Sequence, residues 1–95
     1  MASIGVLTLE MRLENSHSLK DKRHVIQSLK ERLRRKFNVA VAEIEFQELW
    51  QRALIAAVTV SNDHGHAALV LQSVEKEAAA LLGPELVNAN VEWLE

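Results

Sequence analysis

Residues 18–46, SLKDKRHVIQSLKERLRRKFNVAVAEIEF, have the pattern of a long helix followed by a strand. The stretch starts with Ser18 and Asp21, which are spaced like an N-cap and the acidic residue that often follows it in the first turn of a helix. The helix predicted from there has an apolar stripe at helical spacing: Leu19, Ile26, Leu29, Leu33 and Phe37. Asn38 is suited to end it. Residues 39–47 then alternate between two faces, which predicts a strand.

The sequence on either side supplies the other elements. Residues 3–13 alternate as a half-buried strand does, and residues 53–61 are apolar and β-branched, as in a central strand. A second helix is predicted over 63–82, because Ser61-Asn62-Asp63 supplies caps at its start and Gly83-Pro84 is a stop signal at its end. Its apolar stripe is Ala67, Leu71, Val74, Ala78 and Leu82, and a last strand follows over 86–94.

The resulting order, β-α-β-β-α-β, predicts one ferredoxin-like α+β domain over residues 1–95. In that fold both helices pack on one face of a four-stranded antiparallel sheet. Right-handed crossovers place the first and third strands in its centre.

Composition excludes several classes of protein. The 95 residues include no cysteine, which excludes disulfides and cysteine-based zinc sites. No apolar run approaches the roughly 20 residues of a membrane span, and the N-terminus lacks a signal-peptide pattern. We therefore expect a cytoplasmic protein without a cofactor and without a membrane partner.

Charge is strongly segregated along the chain. Residues 20–36 contain eight basic and two acidic residues, a net charge of +6, whereas the whole chain carries −2. Three of these basic residues form one ridge beside the apolar stripe, and two others point outward: Arg23, Lys30 and Arg34, then Lys20 and Arg35. Such a surface is typical of phosphate contact with RNA, and the alternative is a solvated helix face.

Four blocks, in this order, resemble the YlxP-like family of bacterial proteins of unknown function. They are SLKDKR at 18–23, FNVAVAE at 37–43, LWQRA at 49–53 and SND at 61–63. The resemblance implies a ferredoxin-like fold and a cytoplasmic bacterial protein, often encoded near translation and ribosome-maturation factors. It brings no catalytic residues. Together with the basic helix it favours an accessory protein that binds RNA or a ribosomal particle.

The sheet face away from the helices is predicted to have an apolar middle. We assign Val6, Val41, Ile55 and Ala57 to it. A large exposed apolar patch is typical of an interface, so we predict a homodimer, with a mildly apolar monomer as the alternative. The face offers no aromatic side chain for base stacking, which excludes RNA binding in the manner of an RNA-recognition motif.

Two further positions carry open alternatives. Trp50 lies with Gln51 and Arg52 in the connection between the second and third strands, either packed over the end of the core or binding a partner. Lys22 falls within the apolar arc of the first helix. We expect its ammonium group to reach water past the helix end, and a buried, carboxylate-paired Lys22 would instead be a site candidate.

No pattern predicts catalysis. His64 and His66 lack a third metal ligand, and Glu43 and Glu45, placed on one strand face, have no nucleophile nearby. The glycine-bearing phosphate loop that acylphosphatases carry on this fold is missing. We predict no enzyme, no catalytic or metal residues and no small-molecule substrate. The alternative to RNA binding is a protein-interaction or regulatory module, dimeric through its sheet, with no nucleic-acid role.

Overall fold

The computed structural model describes residues 1–94 and confirms the predicted order of elements. The strands and helices have these bounds: β1 Ser3–Arg12, α1 Leu19–Lys36, β2 Ala40–Glu45, β3 Arg52–Ser61, α2 His64–Leu82 and β4 Leu86–Trp93. A short 3-10 turn, Gly83–Glu85, joins α2 to β4. Glu95, the last residue of the predicted domain, lies outside the described residues.

The sheet has the strand order β2-β3-β1-β4, and every neighbouring pair is antiparallel. β1 and β3 therefore occupy the centre, as predicted, and pair over ten residues each. The ferredoxin-like architecture follows from this order together with the two crossover helices. None of the helices among residues 1–94 is both long enough and apolar enough to cross a membrane.

Local sequence signals define the helix ends. The Ser18 side chain accepts a hydrogen bond from the Asp21 amide, and the Asp21 carboxylate accepts one from the His17 amide. Asp63 caps α2 by accepting from two amides of its first turn. Gly83 ends α2 with a φ of 58°, a left-handed conformation that glycine adopts without a side-chain clash.

The core lies between one face of the sheet and the two helices. Alternate residues of β1 and β3 supply its sheet side: Leu7, Leu9 and Met11, then Ala53, Ile55 and Ala57. The predicted apolar stripes supply its helix side: Ile26, Leu29 and Leu33 from α1, then Leu71, Val74, Ala78 and Leu82 from α2. At Gly5, β1 lies close against side chains of α2 and β4, since a Cβ at this position would be 2.7 Å from both Leu71 and Trp93.

The predicted faces of two strands are wrong. Ile55 and Ala57 are fully buried beneath the helices, and Val41 is only 8% exposed and belongs to the same core. β3 is apolar on both faces, so its alternation carries no information about which face is buried. In β2, Glu43 and Glu45 suggested that their face of the strand points to solvent. The valines on the same face are larger than the alanines on the other face, and they pack inward, below α1.

Candidate functional site

The basic residues of 20–36 divide into two groups in the structure. Three of them contact a carboxylate within 4 Å: Lys22, Arg32 and Lys36. Within residues 1–94 the other five contact none, and they are the five singled out from the sequence: Lys20, Arg23, Lys30, Arg34 and Arg35. We call these five the unpaired cations of α1.

Arg32 and Lys36 face α2. Arg32 Nε and Lys36 Nζ each lie 2.9 Å from a different carboxylate oxygen of Glu77. The hydrogen bond from Lys36, followed by that from Arg32, lowers the pKa of Glu77 below the usual 4.5 of a glutamate. These two cations therefore bind α1 to α2, and they share the one negative charge of Glu77.

Lys22 is buried, contrary to the expectation that its ammonium group would reach water. Only 2% of the residue is exposed. Its Nζ donates to the backbone carbonyls of Phe46 and, at 2.7 Å, of Leu49, both in the β2–β3 connection. It also lies 2.8 Å from Glu43 Oε2, in an ion pair that does not meet hydrogen-bond geometry. The three contacts satisfy a buried charge that would otherwise be very costly.

Of the predicted ridge, Arg23 and Lys30 line one groove, and Arg34 lies beyond it. Lys20, Arg23 and Lys30 line a shallow groove along α1, whereas Arg34 and Arg35 lie on the exposed surface outside its lining. The acidic residues lining the groove are Asp21 and Glu43. Asp21 caps the helix and Glu43 pairs with Lys22, so both carboxylates already have partners within the fold.

The β2–β3 connection, residues 46–51, presents two large apolar side chains at the surface. Leu49 is 45% exposed and Trp50 is 52% exposed, so the indole does not close the end of the core. Gln51 is exposed as well, but its side-chain amide donates to the carbonyls of Glu14 and Ser16. Of the predicted partner-binding residues, Gln51 is thus engaged by the β1–α1 connection, whereas the Trp50 side chain is half-exposed.

Arg52, the third of those residues, starts β3 and is engaged on two sides. Its guanidinium carbon lies 3.9 Å from the centre of the Phe46 ring, in a cation–π contact. Its Nη2 lies 3.0 Å from the Glu10 carboxylate. Phe46 itself adopts a φ of 66°, which is uncommon outside glycine.

The open face of the sheet is apolar, but it is built from residues other than those predicted, apart from Val6. Cross-strand register places these side chains on it: Ile4, Val6, Ala40, Ala42, Leu54, Ala56, Val58 and Val60. Charged residues register at the ends and on the outer strand β4, among them Glu10 and Glu92. The patch is therefore real, although three of its four predicted members are in the core.

Glu43 and Glu45 do not share a face. A register shift between them, at Ile44, turns Glu43 towards Lys22, whereas Glu45 pairs with Leu54 of the open face. The two histidines considered as metal ligands also differ in their surroundings. The ring of His64 packs on Trp93 with ring centroids 4.1 Å apart, and His66 is exposed. Within residues 1–94, no three histidine or acidic side chains converge on a possible metal position.

The structure reveals two functional features that the sequence did not indicate, the Glu77 contact and the fixing of the β2–β3 connection by Lys22. Both join residues far apart in sequence, so helical periodicity could not show them. A weak signal existed for the second, since a lysine in an apolar arc requires a partner.

Comparison with known proteins identifies a family that this chain matches. The family described as "Protein of unknown function (DUF503)" matches residues 4–91. The uncharacterised protein YlxP of Bacillus subtilis (strain 168) is 35% identical over 71 residues, which cover 75% of this chain and 77% of that protein. Both findings confirm the YlxP-like resemblance.

Solved structures share the architecture at low identity. The designed protein Foldit4 has a TM-score of 0.63 at 11% identity, covering 100% of this chain and 98% of its own. The designed protein LFR1 1, with a ferredoxin fold, has a TM-score of 0.51 at 11% identity, covering 98% and 83%. SnoaB, a cofactor-independent oxygenase from Streptomyces nogalater, has 0.50 at 12%, covering 99% and 91%. At such identities these likenesses show the fold alone.

Proposed function

The chain belongs to the DUF503 family of proteins of unknown function, and we propose that it is a cytoplasmic accessory protein that binds RNA through the unpaired cations of α1, without catalysing a reaction. One observation carries the proposal. On a helix where three cations contact the carboxylates of Glu43 and Glu77, five stay without an acidic partner within residues 1–94, in a protein of net negative charge.

Phosphate groups are the ligands that suit such a surface. Lysine and arginine side chains that contact phosphates release condensed counterions, which makes affinity strong at low salt and largely independent of sequence. Because Lys20, Arg23 and Lys30 line one groove, they can contact successive phosphates of one strand. The physiological RNA we propose is that of a ribosomal particle, which is the setting implied by the YlxP-like resemblance.

The test removes charge from α1 and follows the salt dependence of binding. In Arg23→Gln/Lys30→Gln/Arg34→Gln, we expect the fold to persist, because glutamine is nearly as good a helix former as lysine or arginine. The slope of log affinity against log salt should fall by roughly 0.7 to 1 unit for each phosphate that the variant no longer binds, the lower value applying to single strands. Anisotropy of a labelled RNA oligonucleotide measures both affinity and slope.

A matched control removes the same charge from elsewhere. Arg12→Gln/Lys36→Gln/Lys76→Gln also loses three positive charges but leaves the groove intact. We expect it to keep nearly the wild-type slope. If both triple variants bind RNA with the wild-type slope, the unpaired cations are a solvated helix face and the proposal is wrong.

The apolar open face supports a second candidate, a homodimer formed sheet against sheet. Its middle is uncharged, and both signs of charge register towards its ends and edges, so a second copy can place apolar against apolar surface about a two-fold axis. The candidate interface is centred on Val6, Ala56 and Val58. A protein-interaction role without RNA would use this dimer together with the Trp50 connection.

Sedimentation at micromolar concentration tests the dimer, with twice the chain mass expected. Val58→Lys should shift the protein towards monomer, because Val58 lies on the open face. Ile55→Lys is unsuitable, since Ile55 is fully buried in the core and a charge there would unfold the chain. A wild-type protein that stays at the chain mass at high concentration contradicts this candidate.

A further inference from the structure

Trp50 is an exposed indole held between two fixed residues. On one side, the carbonyl of Leu49 accepts from buried Lys22 Nζ, and the Leu49 amide donates to Phe46 O at 3.0 Å. On the other side, the carbonyl of Gln51 accepts from the Leu13 amide at 2.9 Å, and the Gln51 side chain donates twice to the β1–α1 connection. The backbone that presents the indole is therefore preorganised.

The indole and the basic groove lie at the same end of the molecule. Lys22, in the first turn of α1, contacts the connection that carries Trp50 and also pairs with Glu43. Glu43 in turn lines the groove that contains Lys20 and Arg23. The Lys22–Glu43 pair thus links the connection that carries Trp50 to the groove that contains these cations.

An exposed aromatic side chain beside a basic groove is the arrangement by which proteins bind single-stranded nucleic acid. Bases stack on the aromatic ring, and the backbone follows the positive groove. Bases of an A-form duplex are already stacked within the helix and are not available to an indole. A preorganised backbone also lowers the conformational entropy that is lost on binding.

We propose that this surface binds single-stranded RNA, with one base stacked on Trp50 and the adjoining phosphates on Lys20, Arg23 and Lys30. The inference rests on the proposed RNA-binding function and specifies its substrate class. It assigns the aromatic contact to the β2–β3 connection, whereas the sheet face lacks the aromatic side chains that an RNA-recognition motif would use.

Tryptophan fluorescence gives a direct test, because the two tryptophans lie at opposite ends of the sheet. Trp93 pairs with Gly5 at one end, whereas Arg52, which follows the Trp50 connection, pairs with Arg12 at the other. Trp93→Phe leaves Trp50 as the sole fluorophore, and Trp50→Phe leaves Trp93. We expect single-stranded oligouridine and oligoadenosine to quench the emission of the first variant and not of the second.

Affinity supplies the second measurement. Trp50→Ala should weaken binding of the same oligonucleotides by roughly 5- to 100-fold, the range expected when one base stack is removed. Its salt slope should stay at the wild-type value, because every phosphate-binding cation is still present. Trp50→Leu keeps an apolar side chain without a ring, and we expect it to bind as weakly as Trp50→Ala. A duplex of the same length should bind the wild type more weakly than the single strand.

The outcomes separate this inference from the function on which it rests. If Trp50→Ala binds single strands as tightly as the wild type and the triple cation variant still loses slope, the stacking inference is overturned and the RNA-binding proposal stands. Full recovery by Trp50→Leu also overturns it and favours a protein partner for the connection. If the wild type shows no salt-dependent affinity for either form of RNA, both are overturned.

Discussion

The two flanks of α1 carry the same kinds of side chain but differ in what those side chains contact. On the flank towards α2, Arg32 and Lys36 share the Glu77 carboxylate at 2.9 Å each. Along the groove, Lys20, Arg23 and Lys30 have no acidic partner within residues 1–94. Lys22, between these flanks, is buried and contacts a carboxylate and two carbonyls.

A run of positive charge in the sequence is therefore a poor measure of the charge available to a ligand. A compensated cation would have to give up its carboxylate before it could bind a phosphate. The unpaired cations need only give up water and counterions, and counterion release is what favours binding. The net charge of +6 in residues 20–36 therefore overstates the positive charge that the flank towards α2 can offer to a ligand. It also hides the difference in available charge between the two flanks.

The largest expected effect concerns Lys22. Lys22→Met leaves Glu43 without its cation and two carbonyls of the β2–β3 connection without a donor. We expect a loss of about 3–5 kcal/mol in the free energy of unfolding, as is usual when one partner of a buried pair is removed. Urea-induced unfolding measures it.

Arg23→Met, one residue further along the helix, is the matched control and should change stability by no more than about 0.5 kcal/mol. Adding Glu43→Gln to Lys22→Met should recover part of the loss, since no uncompensated carboxylate then remains. Equal stability of Lys22→Met and Arg23→Met would show that the buried contacts contribute little.

A smaller effect compares the flanks directly in RNA binding. Arg23→Gln/Lys30→Gln should lower the salt slope by roughly 0.7 units per phosphate, the value for single strands, and leave stability unchanged. Arg32→Gln/Lys36→Gln removes the same charge, yet we expect it to leave the slope nearly unchanged and to lower stability slightly. Identical salt slopes in the two double variants would show that the two flanks do not differ in phosphate binding.

The smallest effect is the pH dependence of the α1–α2 contact. Because Lys36 and Arg32 lower the pKa of Glu77 in the folded state, its carboxylate stabilises the fold above the usual pKa of 4.5. That contribution is lost as the pH falls below 4.5 and through the folded pKa. Glu77→Gln lacks it, so the stability difference from wild type should shrink with acidification, as followed by thermal unfolding. A difference that is constant with pH would contradict this assignment.

Sequence reasoning predicted the architecture well, because its signals are local. Ser18, Asp63 and Gly83 end the helices as predicted, and the apolar stripes of α1 and α2 became the core. The faces of β2 and β3 were wrong, because β3 is apolar on both sides and the register shift at Ile44 breaks the alternation of β2.

The candidate site was predictable only in part. The five unpaired cations were identified from their helical positions, yet their lack of partners depends on where Glu43 and Glu77 fold back onto α1. Those contacts span 21 positions for Lys22–Glu43 and 45 for Arg32–Glu77, beyond any periodic pattern. The exposure of Trp50 likewise depends on the path of the β2–β3 connection, which Lys22 contacts at the carbonyls of Phe46 and Leu49.

The contacts of Lys22 have a consequence for motion. Surface connections usually open locally, at little cost in free energy and independently of the core. Here, detaching residues 46–49 would break both hydrogen bonds that Lys22 Nζ donates, so we expect this connection to open less readily than an unanchored surface loop. We expect the Leu49 amide, bonded to Phe46 O, to exchange its hydrogen more slowly than an amide of such a loop. Binding at this end of the molecule would then require little ordering of the connection.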